Sequence, residues 1–223
     1  MIRSLVFASI EYILCAVVLL KGKLYPRVVS AILFFLASYQ LGELILFSTD
    51  GQPIGIQVAY FSTTLLPPLG VLLIEKISGR KFGFPFFMGA GVFFAVMFVL
   101  FPDMVTVLGL TSCCVRVASR GDTIYRLWSF YYSGTLVYSL LIMLISALRA
   151  KDILIRTILA WLFVSYLSFY FVSILIVRMY PDNRQSFASM MCALAIATAV
   201  IISTLSLTVK LPPAKSKPLK KKK

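Results

Sequence analysis

The sequence predicts an all-α membrane protein built as a bundle of seven transmembrane helices. Of its 223 residues, 60% are hydrophobic and 13% are charged, whereas soluble domains carry about 25% charged residues. The mean hydropathy is +0.94. Apolar stretches of about 20 residues, the length that an α-helix needs to cross a bilayer, recur along the chain. The strands of a transmembrane barrel would alternate apolar and polar residues instead, so a barrel is excluded.

We place seven spans along the chain and assign residues 1–209 to a single membrane domain. The spans cover about residues 1–20, 28–47, 54–74, 84–101, 124–148, 154–177 and 187–209. Each must be helical, because lipid offers no hydrogen-bond partner to an open backbone. Residues 210–223 hold seven lysines. We predict that this segment is a disordered basic cytoplasmic tail that binds anionic lipid headgroups.

The distribution of Lys and Arg predicts that the N-terminus is outside and the C-terminus is cytoplasmic. The segments that follow the first, third, fifth and seventh spans hold 16 of the 22 basic residues, and the opposite side holds 6. Basic loops stay in the cytoplasm, which is known as the positive-inside rule. The loops at residues 48–53 and 102–122 therefore lie outside.

The outer loop at residues 102–122 is the longest connection between the predicted spans. Two short stretches rich in β-branched residues, 105–110 and 114–118, predict a small β-hairpin within it. The loop also contains Cys113 and Cys114, and Cys192 lies near the outer end of the last span. If the outer side is oxidising, a disulfide between the loop and Cys192 is compatible with this topology.

Two carboxylates, Glu11 and Glu43, lie well inside predicted spans. A charged group at the centre of a span costs roughly 2.5–3.5 kcal/mol, so such residues are usually functional or paired. Helical spacing places further polar side chains on the same faces, in the outer halves of the first three spans. We therefore expect an outward-facing pocket with six candidate ligand-binding residues: Glu11, Tyr39, Gln40, Glu43, Gln57 and Tyr60.

Aromatic residues of the later spans extend this prediction. Tyr132, Tyr166 and Tyr170 lie deep enough to form pocket walls or hydrogen-bond partners for the carboxylates, whereas Tyr125 and Trp128 fit an interfacial aromatic belt. In the third span, Pro67 and Pro68 interrupt the backbone hydrogen bonds and predict a kink. This kink is either a static bend or a hinge.

The residue types exclude several kinds of chemistry. The chain has no histidine, and its four cysteines lack the spacing of a metal site. No nucleophile elbow or phosphate-binding glycine loop is present, so we expect no catalytic residues, no metal and no cofactor. The net charge of +14 lies in loops that flank spans and in the tail, and it predicts no nucleic-acid partner.

Four short segments carry a resemblance to a known family: YQLGE at 39–43, LLPPL at 65–69, LIE at 73–75 and SFASMMC at 186–192. Together they resemble a family of uncharacterised bacterial seven-helix membrane proteins. More remotely, the third span is similar to that of the seven-helix N-terminal sensor region of membrane histidine kinases. The resemblance implies a multi-pass protein of the bacterial inner (plasma) membrane, and it supplies no reaction.

Three functional hypotheses follow from the predicted pocket. The first is a protein that senses or binds a small ligand or ion; because no soluble domain follows the last span in this sequence, such a sensor would have to signal through a partner chain. The second is a small transporter or proton-coupled carrier that uses Glu11 and Glu43. The third is a structural or assembly protein without a ligand, in which the carboxylates only hold helices together.

Overall fold

The computed structural model describes residues 2–49, 51–110, 115–119, 123–179 and 187–210. Seven helices lie within these ranges, and each begins and ends within four residues of a predicted span. They are α1 (Ile2–Lys21), α2 (Pro26–Ser48), α3 (Pro53–Ser78), α4 (Phe84–Leu100), α5 (Thr123–Arg149), α6 (Ile153–Met179) and α7 (Phe187–Thr208). The predicted tail beyond Lys210 lies outside the described residues.

The helices have the length and surface of membrane spans. Five of them, α1, α2, α3, α5 and α6, are long and apolar enough to cross a membrane, while α4 and the Leu194–Thr208 part of α7 are apolar but shorter. Large apolar side chains face outward, including Leu20, Phe86 and Phe130 with 82%, 75% and 78% of their surface exposed. Such a surface suits lipid and not water. The protein is therefore a multi-pass integral membrane protein, and the count of seven spans stays a prediction.

Proline and glycine mark several helix ends. Pro26 and Pro53 are the first residues of α2 and α3. Proline suits this position because a backbone N–H there would have no hydrogen-bond acceptor within the helix. The third helix ends at Gly79, whose positive φ of 68° suits a residue without a Cβ. Beyond it, the Glu75 carboxylate accepts hydrogen bonds from the Phe82 and Phe84 backbone N–H groups, at 2.6 and 3.0 Å. This carboxylate therefore fixes the connection between α3 and α4.

Helix α2 packs against both α1 and α3, and the last helix, α7, packs against α1. At Gly42, α2 approaches α3 so closely that an added Cβ would lie 2.7 Å from the backbone nitrogen of Ala59. At the end of α1, the backbone N–H groups of Lys23 and Leu24 both donate to the Ser206 carbonyl of α7. The bundle therefore closes through a contact between its first and last helices.

The two ends of the bundle differ in composition. We call the end with the α1–α2, α3–α4 and α5–α6 connections the basic end, because it carries Lys21, Lys23, Arg27, Lys76, Arg80, Lys81, Arg149, Lys151 and Arg156. The opposite end, which we call the sheet end, carries strands β1 (Val105–Leu110) and β2 (Val115–Ser119), paired antiparallel. Residues 111–114, including Cys113 and Cys114, and the side chain of Cys192 lie outside the described residues. The disulfide therefore stays a prediction.

The third helix continues through Pro67 and Pro68 without ending. Because proline has no N–H, Pro68 leaves the carbonyl of Thr64 without its usual donor four residues later. The hydroxyl oxygen of Tyr131 on α5 lies 3.4 Å from this carbonyl oxygen and 3.1 Å from the Phe87 carbonyl oxygen of α4, and its single proton is shared between these two acceptors. A side chain from α5 thus contacts both α3 and α4 at the prolines. Whether the site acts as a hinge stays a prediction.

Candidate functional site

Polar contacts join α1 to α2 at several successive depths. The two helices are antiparallel, so the start of α1 lies beside the end of α2 at the sheet end. From that end inward, the contacts are Ser4 Oγ to Glu43 Oε2 (3.4 Å), the Tyr12 hydroxyl with Ser38 Oγ (3.3 Å) and Ser30 Oγ to the Cys15 carbonyl (3.1 Å). These contacts fix the register of the two helices, and with it the depth of each carboxylate.

Glu43 is buried and is held by the first helix. Only 1% of its surface is exposed. Its Oε2 lies 3.5 Å from Nη2 of Arg3, whose side chain is 30% exposed, and it also accepts the hydrogen bond from Ser4. At 3.5 Å the contact is longer than the roughly 2.7–2.9 Å of a charge-assisted hydrogen bond, and Arg3 lies in the first turn of α1, at the sheet end of the bundle. The glutamate at the centre of the predicted pocket is thus covered by a charged partner from α1.

Glu11 is fully buried, with 0% of its surface exposed. It is the tenth of the 20 residues of α1, which places it at the middle of the helix. Neither of its carboxylate oxygens has a hydrogen-bond partner among the described residues, and Oε1 of Gln40 has none either. A carboxylate ion without a partner in an apolar interior is strongly disfavoured. A proton or a bound cation would supply the missing compensation.

The depths of these groups follow from the helix register. Because Ser4 lies opposite Glu43, Gln40 lies about 4.5 Å and Glu11 about 10 Å further from the sheet end, at 1.5 Å per residue. Gln40 therefore lies at a depth between the two carboxylates. We call Arg3, Ser4, Glu11, Gln40 and Glu43 the carboxylate cluster. Arg3 and Ser4 are the members that sequence reasoning did not identify as site residues, and the antiparallel register of α1 and α2 is what places them there.

The remaining predicted pocket residues lie elsewhere. Nε2 of Gln57 donates to the Val99 carbonyl of α4 at 2.9 Å. Tyr60 packs with Phe98, and buried Tyr39 packs against Ala59. In the described part of the chain, the six candidates therefore do not line one common pocket. Their role in ligand binding stays a prediction.

Five aromatic residues of α3, α4 and α5, which we call the aromatic cluster, pack together near the sheet end. They are Tyr60, Phe98, Tyr125, Trp128 and Tyr132. We expected Trp128 in an interfacial belt, but only 6% of its surface is exposed. Its Nε1 donates to Thr64 Oγ1 at 2.9 Å, so a buried hydroxyl on α3 satisfies the indole N–H. The cluster is consequently a packed core with internal polar contacts.

The interior of the bundle holds a small cavity. Its volume is about 40 Å³, and its lining includes Pro67, Tyr132, Tyr166 and Thr198. Pockets for small organic ligands measure roughly 300–1,000 Å³, so this cavity is too small for one. Two of the predicted wall residues, Tyr132 and Tyr166, thus line a common space, while Tyr170 is half-buried on α6.

A larger cleft opens at the sheet end. It measures about 420 Å³ and is formed by the start of α3, the segment before β1 and β1 itself, with Asp103 in its lining. This volume lies within the range of small-molecule sites. Sequence reasoning missed the cleft because it arises where two connections between helices meet.

Within the described residues, no three His, Cys, Asp or Glu side chains come together as a metal site would require. No model of a known protein family matches the chain, and no curated protein matches it either. The geometry of the chain is consequently the basis for assigning a function.

Proposed function

We propose that the protein is a small proton-coupled carrier in which Glu11 binds the proton. The supporting observation is that the Glu11 carboxyl is fully buried at mid-helix and that both of its oxygens lack a partner among the described residues. A proton needs no cavity, and Glu11 lines none of the four described cavities. The site therefore suits a proton better than an organic ligand.

Comparison with neighbouring contacts favours a functional role over a structural one. Ser4, Tyr12 and Cys15 of α1 each have a polar partner on α2. Glu11 lies among them but adds no hydrogen bond to the contact between the helices. An ionisable side chain at this depth is costly, and intramembrane carboxylates of this kind form proton relays in pumps and transporters. A role as a simple link between helices does not account for Glu11.

The carboxylate cluster offers a route from the sheet end to Glu11. Glu43, Gln40 and Glu11 lie at increasing depths, and Arg3 covers the outermost of them at 3.5 Å. When Arg3 moves away, Glu43 becomes the first carboxylate that a proton from the sheet end can reach. Toward the basic end, the fully buried Ser206 hydroxyl of α7 donates to the Leu24 carbonyl, just beyond the end of α1.

Infrared difference spectroscopy of the protein in lipid, recorded after a pH jump, tests proton binding directly. We expect a carboxylic-acid C=O band in the wild type that disappears in Glu11→Gln. The matched control is Asp103→Asn, which removes an exposed carboxylate at the sheet end and should leave the band unchanged. A band that persists in Glu11→Gln, or a wild type without one, would contradict the proposal.

Proton flux then separates a carrier from a passive proton site. Proteoliposomes that contain a pH-sensitive dye are given a pH gradient and a panel of amino acids, sugars and carboxylic acids. We expect at least one solute to drive proton entry in the wild type and not in Glu11→Gln. If Glu11→Gln and Glu43→Gln changed only thermal stability and no solute drove proton entry, the structural hypothesis would replace the carrier.

The cleft of about 420 Å³ at the sheet end favours a second candidate function, the binding or sensing of a small molecule. A thermal-shift screen with the same panel of compounds tests it. A stabilising compound whose effect is lost in Asp103→Asn and kept in Glu11→Gln would support binding in this cleft. The opposite pattern would assign the compound to the carrier.

A further inference from the structure

A second cleft, which we call the basic cleft, opens at the basic end. It measures about 280 Å³ and lies where α3 and α5 end and α6 begins. Its lining residues are Ser78, Arg80, Ser146, Arg149, Ala150, Lys151, Asp152 and Ile155. None of them belongs to the carboxylate cluster, so the basic cleft is separate from the proposed proton site.

The cleft carries an excess of positive charge. Arg80, Arg149 and Lys151 are exposed, and within the described ranges the only ion pair is that of Arg3 and Glu43 at the other end. The acidic lining residue, Asp152, uses Oδ1 to accept the backbone N–H of Leu154 at 2.8 Å, which caps the start of α6. The three cations therefore lack an ion-pair partner among the described residues.

Ser146 adds a buried donor to this cleft. Only 4% of its surface is exposed, and its Oγ has no hydrogen-bond partner among the described residues. Thr135 and Thr157, on α5 and α6, each donate to the carbonyl four residues earlier, at 2.7 and 2.8 Å. Ser146 makes no such bond. Its hydroxyl, at the lining of the basic cleft, consequently has no competing partner among the described residues.

We propose that the basic cleft binds the phosphate group of an anionic phospholipid. Two guanidinium groups, an ammonium group and a hydroxyl are the donors that phosphate oxygens take, and basic pockets between transmembrane helices bind lipid headgroups. Beside the cleft, Leu148 and Ile153 expose 70% and 80% of their surfaces. These apolar side chains can contact acyl chains, which favours a lipid over a soluble phosphate compound.

Binding of phosphatidylglycerol to the purified protein in neutral detergent, followed by native mass spectrometry, tests the proposal. The cleft variant is Arg80→Gln with Arg149→Gln. The matched control, Lys21→Gln with Arg27→Gln, removes the same charge from the same end but outside the cleft. We expect a roughly 25-fold loss of affinity in the cleft variant, since each of the two basic residues contributes about fivefold. The control should bind as the wild type does.

Two further measurements separate a built site from general attraction to a basic surface. Ser146→Ala removes no charge, and we expect it to weaken phosphatidylglycerol binding severalfold without changing the retention of phosphatidylcholine. Equal losses in the cleft variant and its control, or unchanged binding in Ser146→Ala, would overturn the proposal. Inorganic phosphate is the probe for a soluble ligand: if it stabilises the protein as well as the lipid does, with the same dependence on Arg80 and Arg149, the lipid assignment is wrong.

Discussion

Replacing Glu11 with methionine should make the protein more stable while removing its proposed function. The carboxyl group of Glu11 is completely buried, and neither of its oxygens has a hydrogen-bond partner among the described residues. Methionine has a similar length, is apolar and adapts to irregular surroundings. The substitution therefore removes an unsatisfied polar group without opening a large cavity.

The size of this effect follows from the cost of the unsatisfied group. A buried polar group without a partner costs about 1–3 kcal/mol. The gain should fall near the lower end of that range, because in membrane proteins the unfolded state also finds partners for its polar groups. For a chain of 150–250 residues, 1 kcal/mol corresponds to roughly 2–4 °C in Tm. We therefore expect Glu11→Met to raise the Tm by a few degrees.

Thermal unfolding in detergent measures the effect, and Glu43→Met is the matched control. Glu43 is buried to the same degree, but it pairs with Arg3 and accepts a hydrogen bond from Ser4. Its replacement leaves Arg3 and Ser4 without that partner, so the Tm should fall or stay unchanged. If Glu11→Met lowered the Tm as much as Glu43→Met, Glu11 would have a structural partner and our reasoning about it would be wrong.

Three further predictions concern the packing that positions the site. Gly42→Ala should destabilise the bundle by about 1–3 kcal/mol, because the new Cβ would lie 2.7 Å from the backbone of α3. The control is Gly134→Ala, which should not destabilise the bundle, because Gly134 has open space around it. Equal Tm values for the two variants would refute the close approach of α2 and α3 at Gly42. Thr64→Val removes the acceptor of the Trp128 indole N–H. The Tm should fall by a few degrees, because the N–H stays buried without a hydrogen-bond partner. An unchanged Tm together with unchanged indole emission would refute the hydrogen bond between Trp128 and Thr64. Tyr131→Phe removes the hydroxyl that contacts the Thr64 and Phe87 carbonyls. We expect faster hydrogen exchange at the backbone amides that flank Pro67 and Pro68, since the prolines have no N–H of their own, and unaltered exchange at those amides would show that the hydroxyl is not needed.

Most of the helix boundaries could be predicted from the sequence. The reason is physical: a bilayer requires apolar stretches of fixed length, and polar or breaking residues such as Lys21, Pro26 and Pro53 lie at their ends. The structure differs from the predicted spans by at most four residues, at the end of α3. There the helix continues past the apolar run to Ser78, because Gly79 and not a change in hydropathy ends it.

The candidate site could be predicted only in part. Ser4 and Glu11 are seven residues apart, which puts them on one face of a helix, and both are buried in α1. Such spacing does not give the rotation of each helix about its own axis, because apolar residues surround these helices on all sides. For α3, the close approach at Gly42 and the aromatic cluster set that rotation, and they direct Gln57 toward α4 and not toward Glu43. The basic cleft could not be predicted at all, since its lining comes from three helices and two connections.

The two carboxylates differ in a way that composition alone does not reveal. Both are fully buried, but Glu43 has a cation and a hydroxyl as partners, whereas Glu11 has no hydrogen-bond partner among the described residues. If Glu11 served only the stability of the bundle, an apolar residue would stabilise it more, because that residue would fill the same space without a buried, unsatisfied oxygen. Natural proteins retain such destabilising groups where function requires them. The contrast therefore favours Glu11 as the proton-binding residue of the proposed carrier, in which we propose that Glu43 and Arg3 control access to it.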